Sequence, residues 1–124
     1  MCRAKYGSGW PDGECGGFLP APGTITRFDV PLGPGVRIDT AVRSGSEIPP
    51  YYDSMIAKLI VWDDTRDAAI ARAERALREV AIEGIPTTRD LALDVLGSPE
   101  FRSGDYSTST LTELEGRVPS LAQA

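Results

Sequence analysis

The sequence predicts an α+β fold, in which antiparallel strands in the first half of the chain precede helices that pack on one face of the sheet. Three observations support this class. Residues 24–30 and 36–42 alternate between polar and apolar side chains, as half-buried strands do. Residues 55–62 form an apolar run interrupted by Lys58, which is typical of a buried strand. Apolar residues recur at helical spacing from residue 66 onward.

The strands of this fold are separated by two turn-rich segments. Residues 31–35 read Pro-Leu-Gly-Pro-Gly, so the runs 24–30 and 36–42 are expected to pair as a hairpin. Residues 43–50 form a second loop, and the run 55–62 then supplies a third strand.

The first helix is expected over residues 66–82. Asp63, Asp64 and Thr65 precede it and offer side-chain oxygens for its N-terminal amides. Gly84 is well placed to end it.

A second helix is expected to begin at residues 86–88 and to end at 97–99. Residues 100–110 are polar and read as a loop, and residues 111–114 form a last short turn. The organisation is therefore an irregular glycine-rich segment over 1–17, one domain over 18–115 and a flexible tail over 116–124.

Composition excludes several classes of function. The net charge of −5 disfavours nucleic acid and anionic membranes as partners. No apolar run approaches the roughly 20 residues of a membrane span, and no signal peptide is evident, so a cytoplasmic location is expected. The chain has 2 cysteines and 0 histidines, which is too few for a closed zinc site of the usual ligands and leaves no histidine as a general base.

Residues 49–59, Pro-Pro-Tyr-Tyr-Asp-Ser-Met-Ile-Ala-Lys-Leu, resemble the signature of biotin carboxylase C-terminal domains. Four further segments resemble motifs of the same family in the same order. They are Phe-Leu-Pro-Ala-Pro-Gly-Thr-Ile at 18–25, Gly-Pro-Gly-Val-Arg at 33–37, Arg-Asp-Ala-Ala-Ile-Ala-Arg at 66–72 and Glu-Gly-Ile-Pro-Thr at 83–87. Each segment is weak alone, but their order and spacing make the joint resemblance strong.

The resemblance implies a part in the ATP-dependent carboxylation of biotin, as in acetyl-CoA and propionyl-CoA carboxylases and fatty acid biosynthesis. In the family, ATP and Mg²⁺ are bound by a preceding ATP-grasp unit. The C-terminal domain packs against that unit, forms one wall of the biotin side and contributes to a dimer interface. The implied partners are therefore an ATP-grasp domain, a biotin carrier protein and a second copy of the chain.

The resemblance assigns roles to individual residues. Tyr52, Asp53 and Ser54 correspond to the biotin wall, and Pro34 and Arg37 to the subunit interface. Alternatives remain open for two of them. Asp53 suits a turn carboxylate that accepts backbone N–H groups, and Arg37 suits a strand residue on the polar face.

Arg3 and Lys58 also have two interpretations. Cys2-Arg3-Ala4 resembles the start of a family strand whose arginine stabilises the biotin enolate, a role that suits a permanently charged guanidinium. Residues 4–17 depart from that strand, so Arg3 lacks the flank that would position it. Lys58 within its apolar run is expected to pair with an acid or to extend toward solvent.

No ATP-grasp unit, phosphate-binding glycine loop or biotin acceptor motif is found in the sequence. The chain is therefore expected to bind none of these cofactors and to be inactive alone, as a fragment of the ligase. A stand-alone module that docks to an intact carboxylase is the alternative, and an unrelated small α+β binding protein is a third interpretation.

Overall fold

The computed structural model of the protein describes residues 21–53, 55–114 and 117. Several predictions fall on other residues: the irregular segment 1–17 with Arg3, the 18–20 portion of the first family motif, Ser54, and the tail 116–124 apart from Arg117. They lie outside the described residues.

Strands dominate the first half of the described chain, and helices dominate the second, with one short strand between the first two helices. This arrangement confirms the predicted α+β class. The strands are β1 (Gly23–Thr24), β2 (Arg27–Asp29), β3 (Val36–Thr40), β4 (Glu47–Ile48), β5 (Ala57–Val61) and β6 (Ala81–Glu83). The helices are α1 (Arg66–Glu79), α2 (Arg89–Gly97), α3 (Pro99–Ser103) and α4 (Thr110–Leu114).

The strands pair antiparallel in three two-stranded sheets, β1 with β4, β2 with β6 and β3 with β5. The predicted hairpin between residues 24–30 and 36–42 is therefore wrong. The segment that joins these runs turns β3 toward β5 instead, and the Trp62 N–H, just past β5, donates to the Gly35 carbonyl oxygen at 2.9 Å. The short loop between the two runs favours pairing between them, but β2 pairs with β6 and β3 pairs with β5, both of which lie further along the chain.

The predicted strand over residues 24–30 is divided at Ile25, whose side chain is completely buried. The Ile25 N–H donates to the Ser46 carbonyl oxygen, whereas the Thr26 N–H donates to the Glu83 carbonyl oxygen, each at 2.9 Å. The chain thus passes from one sheet to another within two residues. Ile25 lies at the crossing, where both sheets cover it.

Four isoleucines form the main core: Ile25, Ile48, Ile56 and Ile85. They come from the junction between β1 and β2, from β4, from the residue before β5 and from the segment after β6, so the core joins all three sheets. Burial of an aliphatic side chain of this size contributes about 1.5–3 kcal/mol. The core is therefore the main reason that three very short sheets remain together.

Helix α1 begins as predicted, because the Thr65 hydroxyl accepts the Ala68 N–H at 3.2 Å. It ends at Glu79, not at residue 82 as predicted. Ala81 and Glu83 belong instead to β6, where they pair with Asp29 and Arg27 of β2. Apolar residues continue at helical spacing past Glu79, but the chain leaves the helix there because β6 pairs with β2.

Gly84 follows β6 with φ of +97°, a conformation that favours glycine. A Cβ there would collide with the Thr24 carbonyl oxygen and would lie 2.9 Å from the Thr26 nitrogen. Gly84, which the sequence predicts as the end of α1, therefore allows the chain after β6 to pass close to the backbone of Thr24 and Thr26.

Ser98 ends α2 and begins α3. Its hydroxyl donates to the Val95 carbonyl oxygen at 2.7 Å and accepts the Phe101 N–H at 3.3 Å. The loop predicted over residues 100–110 is therefore wrong at residues 100–103, which belong to α3, and at Thr110, which begins α4. A serine cap followed by proline at the first helical position was the missed signal. The short turn predicted at 111–114 is confirmed as part of α4.

Candidate functional site

The candidate site residues fall into two regions at the ends of the ribbon formed by β3 and β5. The aromatic loop (residues 49–53 and 55) lies between β4 and β5, and the glycine turn (residues 33–37) leads into β3. Tyr52 and Asp53 belong to the first region, and Pro34 and Arg37 to the second.

The aromatic loop exposes large side chains to solvent. Tyr51 is 87% exposed, Tyr52 79% and Met55 61%. The next residue, Ile56, is buried in the core. Burial thus changes abruptly within one residue, so the loop projects from a fixed base.

Asp53 determines the shape of this projection. Its Oδ1 accepts the Met55 N–H at 2.7 Å, which is the geometry of an Asx turn. The base is fixed by Thr40, whose hydroxyl donates to the Ile56 carbonyl oxygen at 2.8 Å. The turn-carboxylate interpretation of Asp53 is therefore observed, and its place on a biotin wall stays a prediction.

The glycine turn depends on two residues with positive φ, Gly33 at +137° and Gly35 at +71°. It is closed by the Val36 N–H, which donates to the Gly33 carbonyl oxygen at 3.3 Å. A Cβ on Gly35 would lie 2.5 Å from the Trp62 carbonyl oxygen and would collide with the Arg72 side chain. The turn is thus packed against β5 and α1.

Arg37 makes a two-point ion pair with Asp39 on the exposed face of β3. Its Nε lies 2.8 Å from Oδ1, and its Nη2 lies 3.0 Å from Oδ2. The arginine side chain is 72% exposed. The hydrogen bond to Asp39 raises the pKa of Arg37. This arrangement agrees with a polar-face strand residue, and it also presents a guanidinium beside the glycine turn.

Asp39 lies opposite Lys58 in the β3–β5 register. The pKa of the Asp39 carboxyl is lowered, first by the hydrogen bond from Arg37 and further by the positive charges of Arg37 and Lys58. Lys58 is exposed. This exposed position opposite Asp39 agrees with the expectation that Lys58 pairs with an acid or extends toward solvent.

The structure does not bring the two regions together. Val36 pairs with Val61 at one end of the ribbon and Thr40 with Ala57 at the other. Four residue steps of antiparallel strand span about 14 Å. The predicted biotin-wall and interface residues are therefore separate surfaces, and Arg3 and Ser54 lie outside the described residues.

Sequence reasoning missed the contacts of Arg72 and Asp63. Arg72 Nη2 lies 2.7 Å from Asp63 Oδ2, and Arg72 Nη1 donates to the Pro34 carbonyl oxygen at 2.5 Å. The sequence pattern places Arg72 only within the 66–72 helix motif, and Asp63 only among the residues that offer oxygens to the N-terminus of α1. No spacing rule connects a helix arginine to a turn 38 residues earlier.

A depression of about 340 Å³ lies beside α2, α3 and α4. At its edge Arg117 Nη2 donates to Glu100 Oε1 at 2.8 Å. The pKa of Glu100 is lowered, mainly by its own backbone N–H and then by Arg117. The depression contains none of the predicted site residues, and its lining is Leu93, Asp94, Gly97, Ser98, Pro99, Glu100, Leu114 and Arg117.

The described part of the chain holds neither a cluster of metal ligands nor a helix that could span a membrane. Over residues 21–53, 55–114 and 117, no three potential metal ligands among Asp, Glu, Cys and His cluster around a common point. Within the same residues, no helix has both the length and the apolar character to span a bilayer.

Comparison with known proteins gives a consistent result. The family described as "Biotin carboxylase C-terminal domain" matches residues 13–113. The biotin carboxylase of Nostoc sp. is 52% identical over 97 residues, which are 78% of this chain and 22% of that protein. A pyruvate carboxylase protein of Methanothermobacter thermautotrophicus is 46% identical over 96 residues, 77% of this chain and 20% of that protein.

Solved structures agree. The biotin carboxylase domain dimer of the Hydrogenobacter thermophilus 2-oxoglutarate carboxylase, in complex with MgADP, ADP and bicarbonate, superposes with a TM-score of 0.77. It is 43% identical, and the match covers 78% of this chain and 21% of that one. The chain thus spans about a fifth of the length of the relatives that it matches.

Proposed function

Because the chain belongs to the biotin carboxylase C-terminal domain family, we propose that it serves as that domain of a biotin-dependent carboxylase. There it completes an enzyme that uses ATP and bicarbonate to carboxylate biotin. The observation that carries the proposal is the match over residues 13–113. That match favours this role over a diverged docking module or an unrelated binding protein.

The aromatic loop supplies the surface toward the ATP-grasp domain and the biotin. Clustered exposed apolar side chains mark contact surfaces, and Tyr51, Tyr52 and Met55 are all exposed next to the buried Ile56. The Asx turn of Asp53 restrains the backbone at Met55. Ser54 belongs to the same proposed wall.

The glycine turn supplies the subunit interface. Pro34 is exposed, and Arg37 presents an exposed guanidinium that is paired with Asp39. The related 2-oxoglutarate carboxylase domain is described as a dimer. We therefore assign a homodimer contact to this turn, with the biotin carrier protein as a further partner of the complete enzyme.

The chemistry is shared between this chain and the rest of the enzyme. ATP and Mg²⁺ belong to the ATP-grasp unit, and biotin lies between that unit and the aromatic loop. Arg3 is the proposed positive charge for the biotin enolate, since a guanidinium stays protonated and offers paired donors. The chain alone is expected to be inactive.

The compound that finally receives the carboxyl group stays open. Relatives include pyruvate and 2-oxoglutarate carboxylases, so acetyl-CoA and a place in fatty acid biosynthesis stay predictions. In the proposed arrangement that choice belongs to a carboxyltransferase, because biotin carboxylation is the same first step for each acceptor.

Reconstitution from two pieces tests the proposal. The chain is co-expressed with a Nostoc biotin carboxylase truncated before its C-terminal domain, and biotin-stimulated, bicarbonate-dependent ATP hydrolysis is measured. Neither piece alone should be active, whereas the complex should be. Activity of the mixture no greater than the sum of the pieces would refute the proposed role.

A matched pair of variants locates the contact. Tyr52→Ala should reduce the reconstituted rate, because it removes an exposed ring from the proposed wall. Leu111→Ala, which removes a 42% exposed side chain on α4, should leave the rate unchanged. Equal effects of the two substitutions would count against the aromatic loop as the contact surface.

A further inference from the structure

One guanidinium connects the glycine turn to α1. Arg72 Nη1 donates to the Pro34 carbonyl oxygen at 2.5 Å, and Nη2 of the same side chain lies 2.7 Å from Asp63 Oδ2. The two side chains are only 25% and 19% exposed. Asp63 is itself held, since its Oδ1 accepts the Asp64 N–H at 2.8 Å. This connection, from the Pro34 carbonyl through Arg72 to Asp63, is the Arg72 strut.

The turn has few other restraints in its middle. Pro34 has no N–H to donate, and it is flanked by two glycines, the least restricted residues in a chain. The turn's own hydrogen bond, from Val36 to Gly33, is long at 3.3 Å, and the bond from Trp62 reaches only Gly35. The Arg72 contact is thus the hydrogen bond that fixes the Pro34 carbonyl.

Two other arginines of α1 behave differently. Arg75 pairs with Glu79 and Arg78 with Glu74, each one turn away on α1 itself. Their side chains are 52% and 65% exposed. These contacts act within the helix, whereas Arg72 reaches a separate segment and is largely buried.

We propose that Arg72 is a positioning residue for the subunit interface, and that it holds the glycine turn in the one shape that presents Pro34 and Arg37 to a second copy of the chain. This inference rests on the proposed function, which assigns the interface to that turn. A closed two-fold dimer uses the same turn twice. If loss of the strut leaves the turn correctly shaped about a third of the time, the dimer dissociation constant rises about tenfold, because both copies must be competent.

Lysine cannot replace this arginine fully. The guanidinium directs two nitrogens at two acceptors at once, whereas an ammonium is a single charged point on a flexible stem. Arg72→Lys is therefore expected to retain the charge opposite Asp63 and to lose the fixed contact with Pro34. Its effect should lie between those of the wild type and Arg72→Met.

The test uses the full chain and two readouts, amide hydrogen exchange and sedimentation. Arg72→Met should accelerate exchange of the Val36 amide about tenfold and weaken self-association about tenfold, both measured well below the melting temperature. Arg75→Met is the matched control and should change neither. Arg37→Glu should weaken self-association without accelerating exchange in the turn.

Three outcomes would overturn the inference. Amide exchange in the turn could be unchanged by Arg72→Met, which would show that the Arg72 contact does not hold the turn in shape. Arg72→Met could lower the melting temperature and change self-association by less than twofold, while Arg37→Glu still weakens self-association. Arg72 would then stabilise the fold without positioning the interface. Self-association that is absent or insensitive to Arg37→Glu would instead show that the proposed interface is wrong.

Discussion

The two ends of the β3–β5 ribbon are built in opposite ways. The glycine turn is held by contacts from outside its own sequence, from Trp62 and Arg72. The aromatic loop is shaped mainly by one local hydrogen bond, from the Met55 N–H to Asp53, and its rings extend into solvent. The shape of the glycine turn thus depends on distant residues, whereas the shape of the aromatic loop depends mainly on its own sequence.

This difference predicts how each end responds to substitution. Substitution of Gly35 in the glycine turn should affect folding stability, because a Cβ there would meet the Trp62 carbonyl oxygen and the Arg72 side chain. Changes in the exposed rings of the aromatic loop should affect association with a partner and leave folding stability nearly unchanged. The following substitutions separate these effects, from the largest to the smallest.

Gly35→Ala should cost about 3 kcal/mol in the free energy of unfolding. The alanine would adopt φ of +71° and would press against the Trp62 carbonyl oxygen, so backbone strain and overpacking add together. Urea denaturation measures the loss. Gly97→Ala is the control, since that glycine has no positive φ and open space around it, and it should not destabilise. A loss below about 1 kcal/mol for Gly35→Ala would show that the turn relaxes freely.

Asp53→Ala should cost about 1 kcal/mol, because it removes one exposed hydrogen bond that shapes the aromatic loop. Asp53→Asn should recover most of that loss, since an amide oxygen can also accept the Met55 N–H. Thermal unfolding of the three proteins gives the comparison. If Asn is as destabilising as Ala, the carboxylate charge matters and the turn geometry does not.

Tyr52→Ala should change the free energy of unfolding by less than about 0.5 kcal/mol, since the side chain is 79% exposed. The same variant should reduce the activity of the two-piece enzyme described above. Chemical denaturation and the ATP hydrolysis assay are run on one preparation. A large loss of stability would mean that the ring packs on this chain and is not a free contact surface.

The smallest effect concerns Asp39 at the edge of the glycine turn. Its lowered pKa means that the ion pair with Arg37 stabilises the fold above the ordinary carboxyl pKa, and that this contribution is lost as pH falls through the lowered value. Arg37→Gln should raise the pKa of Asp39 in a carbon-detected NMR titration. Lys58→Gln should raise it less, because Lys58 acts through charge alone and ranks below Arg37 among the causes.

Local signals predicted the start of α1 and the turn at Asp53. Thr65 was one of three residues expected to offer oxygens to the N-terminus of α1, and its hydroxyl accepts the Ala68 N–H. The turn at Asp53 was one of two interpretations and depends only on neighbours two residues apart. These features are encoded within a few residues, so sequence patterns suffice to find them.

Pairing between distant segments was not predictable in the same way. The choice of β5 as the partner of β3, and of β6 as the partner of β2, depends on which faces meet around Ile25. The strut from Arg72 depends on the same assembly, because it joins α1 to a turn 38 residues away. Such contacts exist only after the chain has folded back on itself, and no local spacing records them.

The pairing of β2 with β6 also has a consequence in time. Arg27 and Glu83, which face each other in that sheet, are 56 residues apart in the chain. At a synthesis rate of about 5–20 residues per second, β2 waits roughly 3–11 s on the ribosome before its partner has been made. Closure of so long a loop also slows folding. During that interval the edge of β2 is unpaired. The nascent chain is therefore most prone to incorrect strand pairing before α1 and β6 have been synthesised.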